Sequence, residues 1–414
     1  MNDTAATTRR AAAPARSPAA RQAASVNGAT DLRGASKVLI DAVTGVTGIV
    51  EDMHRHIARV GPIVGKAKPG NARGISGLVY KSVRGVTRAV GFGLDTALGR
   101  LAPLVRPGTT SPRREVVLAA LNGVLGDYLE QTGNPLAITM RFRHQGHGVV
   151  LERDALAADF AQSGGKLLVL VHGLCMSDLQ WTREHHDHGA ALAADLGFTP
   201  LYLHYNSGRH IAANGREFAA LLDQLVRQWP VPVSELVIVG HSMGGLVARS
   251  ACEVARQSKL GWLKRVKKIV FLGTPHHGSP LERAGNWVDM LLGVSPYTAP
   301  FARLGQIRSA GIQDLRHGTF IDGDLRRQGG EVVPLPRGVK CFVVAASKQA
   351  ATGHGTRLKG DGLVPVNSAL GRHKDAALTL SVPAARQHVA FGIDHFDLLS
   401  SDEVYRQLRG WLEQ

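Results

Sequence analysis

A serine lies between glycines in the segment VIVGHSMGGLVA, which runs from Val237 to Ala248. β-prone residues lead into the motif Gly-His-Ser-Met-Gly, and a helical pattern follows it. A serine at a sharp strand-to-helix turn projects its Oγ from the sheet, while Gly240 and Gly244 leave room where a Cβ would collide with nearby backbone. The spacing therefore predicts a nucleophilic Ser242, which needs a general base and a group that orients this base.

The base and its orienting acid are expected on loops after later strands, in the chain order Ser, Asp, His. Asp361 in GDGLVPVNSALG and His395 in GIDHFDLLS satisfy this order, and each follows a predicted strand. Asp322 and Asp324 are alternatives for the acid, but they precede the relevant strand. His388, which we place in the same loop as His395, is the stronger alternative for the base.

A developing oxyanion needs two backbone N–H donors. One is expected from Met243, the residue after the serine, because the following helix directs its positive end towards the site. The other is expected from Leu174, in the loop that follows the apolar strand KLLVLV.

These residues need a rigid frame, and the chain after Pro135 provides the pattern for one. Apolar segments alternate with helical patterns, which predicts an α/β fold with a mainly parallel sheet covered by helices. The predicted strands are a hairpin of LAITMRFRH and GVVLE across Gln145-Gly146, then KLLVLV, PLYLHY, ELVIVG, VKKIVFL, KCFVVAAS, and ALTLSV at 377–382.

Composition divides the chain into three parts. Residues 1–34 are rich in Ala, Arg, Pro and Ser and are expected to form a disordered basic arm. Amphipathic stretches predict a helical appendage over residues 35–130, and residues 131–414 hold the α/β domain. Residues 279–337 break the strand–helix alternation with apolar residues among glycines and prolines, and we expect them to form a lid.

Five motifs carry a resemblance that covers about residues 135–414: VHGL at 171–174, GHSMGGLVAR at 240–249, GTPHHGSP at 273–280, GDGLVPVNSA at 360–369 and DHFDLL at 394–399. With them the chain resembles bacterial α/β-hydrolases of the lipase/esterase type, close to the triacylglycerol lipases and the GPI inositol-deacylase-like proteins. The resemblance implies cofactor-independent hydrolysis of carboxylic esters, a role in lipid metabolism, and an acyl-enzyme on Ser242 with Asp361 and His395 as its partners.

Other functions remain open at this point, because the fold hosts many chemistries. One alternative is an intracellular polyester depolymerase or a surface-associated acyltransferase. Another is a binding protein of hydrolase shape without catalysis. The expected ligand in each enzymatic case is an ester or lipid small molecule.

Positive charge is concentrated in the N-terminal part of the chain. Residues 1–114 hold 18 Lys and Arg against 6 Asp and Glu, whereas the remainder holds 31 against 27. A basic amphipathic segment binds anionic lipid surfaces, so we expect residues 35–105 to contact an anionic membrane or a polyester granule. The alternative is a helical brace packed on the hydrolase domain. Nucleic acid is not an expected partner.

Cysteine usage and hydropathy bear on the compartment. Cys175, Cys252 and Cys341 are too scattered for a disulfide framework, and neither a signal-peptide core nor a membrane-length apolar run occurs. We therefore expect a cytoplasmic protein, peripheral to a membrane or granule surface. No metal is expected; the histidine-rich segment EHHDH at 184–188 is interpreted as the start of a surface helix.

Overall fold

A sheet of eight strands forms the frame of the domain. The computed structural model describes residues 112–278, 309–321, 333–350 and 360–414. The strands are β1 (Arg141–His144), β2 (His147–Gly148), β3 (Lys166–Val171), β4 (Thr182–Arg183), β5 (His186–Asp187), β6 (Thr199–His204), β7 (Glu235–His241), β8 (Val266–Leu272), β9 (Lys340–Ser347) and β10 (Gln387–Phe391). The α-helices are α1 (Pro112–Gln131), α2 (Arg153–Asp159), α3 (His188–Leu196), α4 (Ile211–Gln228), α5 (Met243–Gln257), α6 (Ala310–His317), α7 (Val366–Ala369) and α8 (Asp402–Glu413).

The strand order is β10-β9-β8-β7-β3-β6-β1-β2, with β4 and β5 forming a separate small hairpin. From β10 to β6 the neighbouring strands are parallel, and β1 and β2 are added antiparallel at the edge. The central strands are buried along nearly their whole length, because helices cover both faces of a parallel sheet. The predicted fold class, α/β with a mainly parallel sheet, is confirmed.

The edge hairpin is also confirmed, although it is shorter than predicted. Gln145 and Gly146 connect β1 to β2 with φ angles of 49° and 79°. Two consecutive positive φ values are typical of a type I′ turn, whose twist matches the flanking strands.

The prediction of a last strand at 377–382 is wrong. Residues 376–378 form a turn of 3-10 helix, and the last strand is β10, which pairs with β9 from Gln387 to Phe391. The segment 377–382 alternates apolar and polar residues, but Pro383 directly follows it and lacks the N–H that a ladder requires. The residues of β10, QHVAF, do not alternate in this way. As a result His388 lies in a strand and not in a loop.

Helix α1 belongs to the same compact unit as the sheet, although the sequence assigned it to the appendage. Its Gly123 and Gly126 allow close contact with the loops after β3 and β6: an added Cβ would lie 2.2 Å from Cys175 Sγ and 1.8 Å from Asn206 Oδ1. Ser309, at the start of α6, donates from its Oγ to the Gly123 carbonyl at 2.7 Å. The other residues of the predicted arm and appendage lie outside the described part.

Helix α6 comes from the segment predicted as a lid. Gly311 N donates to Gly208 O at 2.9 Å, and Asp314 Oδ2 accepts the Ile211 N–H at 2.8 Å. Residues 310–317 are therefore tied to the start of α4. Residues 279–308 and 322–332 lie outside the described part, and the lid remains a prediction for them.

Candidate active site

Ser242 occupies a strained turn at the carboxyl end of β7. Its backbone has φ 54° and ψ −124°, a conformation that L-residues adopt only when the surrounding structure enforces it. The Ser242 N–H donates to the Leu272 carbonyl of β8 at 2.8 Å, and the Gly245 N–H donates to the Ser242 carbonyl at 3.1 Å. These bonds fix the turn between β7 and α5.

The flanking glycines allow this turn for steric reasons. A Cβ at Gly240 would lie 2.6 Å from Gly245 Cα, and one at Gly244 would lie 2.2 Å from the Val171 carbonyl oxygen. Contacts this short involve backbone atoms that cannot move aside. Any larger residue at either position would displace α5 or the end of β3.

His395 and Asp361 form a buried pair. His395 Nδ1 lies 2.7 Å from Asp361 Oδ2, and each side chain is 1% exposed. The other oxygen, Asp361 Oδ1, accepts the N–H groups of Leu363 and Val364 at 2.8 and 2.7 Å. A carboxylate held in this way accepts the Nδ1 proton and leaves Nε2 of the neutral imidazole with its lone pair.

The loop that carries His395 is tied to the residue before Ser242. His241 donates from Nε2 to the His395 carbonyl at 3.1 Å, and the two imidazole rings lie 4.7 Å apart. Both Ser242 Oγ and His395 Nε2 are buried, and neither has a hydrogen-bond partner in the described part of the chain. An unmade serine–histidine bond is common in free enzymes, where catalytic hydrogen bonds tighten on substrate binding.

His241 is a site residue to which the sequence analysis gave no role. Burial and the neighbouring His395 lower the pKa of His241 well below its usual value, so it stays neutral and donates its Nε2 proton. Its position inside the Gly-x-Ser-x-Gly motif could have indicated a role in the site, because the residue before the serine lies at the end of the same strand.

The alternatives for acid and base are placed differently. His388 on β10 bonds through Nε2 to Glu403 Oε1 of α8 at 2.9 Å, which uses the nitrogen that a base would need. Asp322 and Asp324 lie outside the described residues.

The loop after β3 lies directly over the serine. A Cβ at Gly173 would lie 3.0 Å from Ser242 Cβ. Leu174 is fully buried in this loop, and its N–H has no acceptor among the described residues. Met243 is the first residue of α5, where the N–H has no partner within the helix. Both expected donors therefore flank Ser242 with their N–H groups unused.

Hydrogen bonds from the β6 end hold this loop. Tyr205 donates from its hydroxyl to the His172 carbonyl at 2.8 Å, and its ring stacks on the His172 ring at 4.4 Å. The Cys175 N–H donates to Ser207 Oγ at 3.0 Å, while Cys175 itself adopts a positive φ of 59°. Burial lowers the pKa of His172 to about 3 and thus keeps its ring neutral.

A buried ionic group, which we call the Arg143 cluster, fixes the far end of the loop. It comprises Arg143 of β1, Glu115 of α1, Asp178 of the loop after β3 and His204 of β6. Arg143 Nη1 lies 2.9 Å from Glu115 Oε2 and 3.0 Å from Asp178 Oδ1, and His204 Nδ1 lies 3.1 Å from the same Asp178 oxygen. Burial raises the pKa of Asp178, but the contacts with His204 and Arg143 outweigh it and the net shift is downward.

The histidine-rich segment 184–188 spans the turn between β4 and β5, strand β5 itself and His188, at which α3 begins. His186 Nε2 lies 2.7 Å from His188 Nδ1, and His188 Nε2 donates to the Leu398 carbonyl at 3.0 Å. These bonds support the loop behind His395. No group of three or more metal-ligating side chains occurs within the described ranges. The three cysteines are free and buried.

Comparison with known proteins gives one family match, to a domain of unknown function, DUF7379, over residues 138–315. No curated protein matches the chain. No helix of the described ranges is long and apolar enough to cross a membrane.

Several solved structures are similar. Bacillus licheniformis lipase BlEst2 in mature form is 21% identical over 60% of this chain and 91% of its own, with a TM-score of 0.41. Aspergillus fumigatus lipase B is 14% identical over 65% of this chain and 59% of its own, with a TM-score of 0.40. A lipase-esterase related protein from Clostridium acetobutylicum is 14% identical over 67% of this chain and 99% of its own, with a TM-score of 0.36.

The fold can be assigned from the connections of the chain itself. A mainly parallel sheet with two antiparallel edge strands carries a serine elbow after β7, and an acid and a histidine follow β9 and β10 at the same edge. The chain thus has the α/β-hydrolase fold.

Proposed function

We propose that the protein is a serine hydrolase of carboxylic esters that acts through an acyl-enzyme on Ser242. The observation that carries the proposal is the buried His395–Asp361 pair, whose imidazole leaves Nε2 unbonded beside a strained serine turn. His172, His241 and His276 also leave one buried ring nitrogen without a partner among the described residues, but their other nitrogen meets a carbonyl or an arginine. In His395 the other nitrogen meets a buried carboxylate, which is the arrangement that a general base requires.

The chemistry follows from the protonation states. His395 Nε2 takes the Ser242 proton as Oγ attacks the ester carbonyl, and Asp361 stabilises the imidazolium that forms. The N–H groups of Leu174 and Met243 bind the oxyanion. The imidazolium then protonates the leaving alcohol as the C–O bond breaks, and a water activated by His395 cleaves the acyl-enzyme.

Labelling with a fluorophosphonate tests the nucleophile, since only an activated serine reacts with this probe. The full chain should be labelled and should hydrolyse a short p-nitrophenyl ester. Ser242→Ala should abolish labelling and lower turnover by about 10³-fold or more. Ser250→Ala is the matched control, because Ser250 is a buried serine of α5 whose Oγ, like that of Ser242, lacks a partner within the described residues.

The outcomes separate the alternatives. Labelling of Ser242→Ala, or wild-type turnover by it, would reject Ser242 as the nucleophile. An unlabelled and inactive wild-type protein would favour a binding protein of hydrolase shape. Transfer of the acyl group to an added alcohol at the expense of hydrolysis would identify an acyltransferase.

A further inference from the structure

Arg249, at the end of the second turn of α5, is a buried arginine that the proposed chemistry does not use. It is 2% exposed, and its guanidinium stacks on Phe320 with 4.3 Å between Cζ and the ring centroid. Arg249 Nη2 donates to the Val333 carbonyl at 2.6 Å, and Nη1 lies 3.3 Å from His276 Nδ1. Its Nε has no partner in the described part of the chain.

The described residues provide no carboxylate that forms an ion pair with Arg249, and its partners among them are a carbonyl, an imidazole and an aromatic ring. The thiols of Cys252 and Cys341 are close by, but burial raises the pKa of Cys341 to about 12 and that of Cys252 further, so neither is anionic near neutral pH. Burial also lowers the pKa of Arg249 to about 10, which leaves it charged. A buried charge without a counterion is costly.

A cavity of about 450 Å³ adjoins this side chain. Its size falls within the range of small-molecule pockets, roughly 300–1,000 Å³. Arg249, Arg256 and Arg337 contribute positive charge to its walls, and apolar surface comes from Cys252, Leu263, Pro334, Leu335 and Pro336. Among the described residues, Glu253 is the one acid in the lining, and it is already bonded to Arg256 at 2.6 and 2.9 Å. Two arginines, Arg249 and Arg337, therefore remain without a carboxylate partner in the described part.

We propose that this cavity is a second ligand site, which binds a monocarboxylate with a hydrocarbon tail. The carboxylate would lie against Arg249 and Arg337, because the planar guanidinium binds carboxylates through paired hydrogen bonds. The tail would cover the leucine and proline side chains. The site is separate from Ser242, and the proposal holds whether or not Ser242 is a nucleophile.

Calorimetric titration of the full chain with sodium octanoate tests the proposal, with octanamide as the uncharged analogue and inorganic phosphate as an anion without a tail. Octanoate should bind, and octanamide and phosphate should bind at least tenfold more weakly. Arg337→Gln should weaken octanoate binding about tenfold through the loss of a charge-assisted contact. Arg372→Gln is the matched control, since it removes one positive charge from an exposed arginine that does not line the cavity.

Arg249→Gln should abolish octanoate binding; if this variant does not fold, the exposed Arg337 still provides the test. The proposal is overturned if octanoate does not bind at millimolar concentration, or if octanamide or phosphate binds equally well. It is also overturned if Arg337→Gln leaves the affinity for octanoate unchanged, because binding would then occur elsewhere.

Discussion

Arg143 and Arg249 are both buried arginines beside loops of the candidate site, but their surroundings differ in charge. Arg143 lies between the carboxylates of Glu115 and Asp178 at 2.9 and 3.0 Å. Within the described part of the chain, the partners of Arg249 are neutral groups, and it adjoins a cavity of about 450 Å³. A buried arginine with two acids cross-links the elements that carry them, whereas one without an acid retains the capacity to bind an anion.

Among the substitutions proposed below, the replacement of Arg143 should have the largest effect on stability. Arg143→Met leaves Glu115 and Asp178 buried without their common partner, and we expect the free energy of unfolding to fall by about 3–5 kcal/mol. Urea denaturation of the full chain measures it. A loss below about 1 kcal/mol would show that the cluster is not a structural cross-link.

Low pH should destabilise the protein, because neutral histidines are buried in the surroundings of both Arg143 and Arg249. The pKa of His172 is lowered by burial from 6.5 to about 3, so below pH 6.5 the unfolded chain binds a proton that the folded state does not. The free energy of unfolding should therefore decrease as the pH is lowered, and His172 should account for about 3 kcal/mol of this decrease between pH 7 and pH 4. In urea denaturation, His172→Gln should reduce the change in the free energy of unfolding between pH 7 and pH 4 by about 3 kcal/mol.

His276, which contacts Arg249, is the buried histidine that corresponds to His172. Its pKa is lowered by burial first and by the charge of Arg249 second. His276→Gln should thus reduce the pH dependence of the free energy of unfolding less in an Arg249→Met background than in the wild-type protein. An equal reduction of the pH dependence in both backgrounds would contradict an influence of Arg249 on the pKa of His276.

Asp178→Asn tests whether the Arg143 cluster positions the loop of Leu174 for catalysis. A small displacement of an oxyanion donor costs up to about 10²-fold, so kcat should fall roughly tenfold to a hundredfold, about 1.4–2.7 kcal/mol, while KM stays near the wild-type value. Asp195→Asn, which removes an acid that pairs with Arg409 on the surface, is the control and should leave kcat unchanged. A change confined to KM would contradict the positioning role.

Arg249→Met should give the smallest effect. It removes the hydrogen bond to the Val333 carbonyl but also removes a buried charge without a carboxylate partner, so the free energy of unfolding should change by no more than about 1 kcal/mol. Urea denaturation without added anion measures it. A loss as large as that of Arg143→Met would show that Arg249 has a structural role equal to that of Arg143.

Local patterns predicted the sheet well, since each central strand is a continuous apolar run that ends at a glycine, a histidine or a serine. The pairing of Asp361 with His395 at the sheet edge that carries Ser242 could be expected because parallel strands end at one edge of the sheet. The Arg143 cluster could not, because Arg143 is 28 residues from Glu115 and 35 from Asp178, and no local spacing connects them. The strand at 377–382 was mispredicted because this segment alternates apolar and polar residues. The true strand, QHVAF of β10, does not alternate and is identified by its pairing with β9.

The contact between Gly123 and Ser309 has a consequence for the order in which the protein is made. These residues are 186 positions apart, and Ser309 binds the Gly123 carbonyl through its Oγ. At a synthesis rate of roughly 5–20 residues per second, about 10–40 s separate their appearance on the ribosome. During that interval the Gly123 carbonyl of α1 lacks the hydroxyl that later binds it. In newly made chains this carbonyl would therefore remain open to other donors, such as water, until synthesis has passed α6.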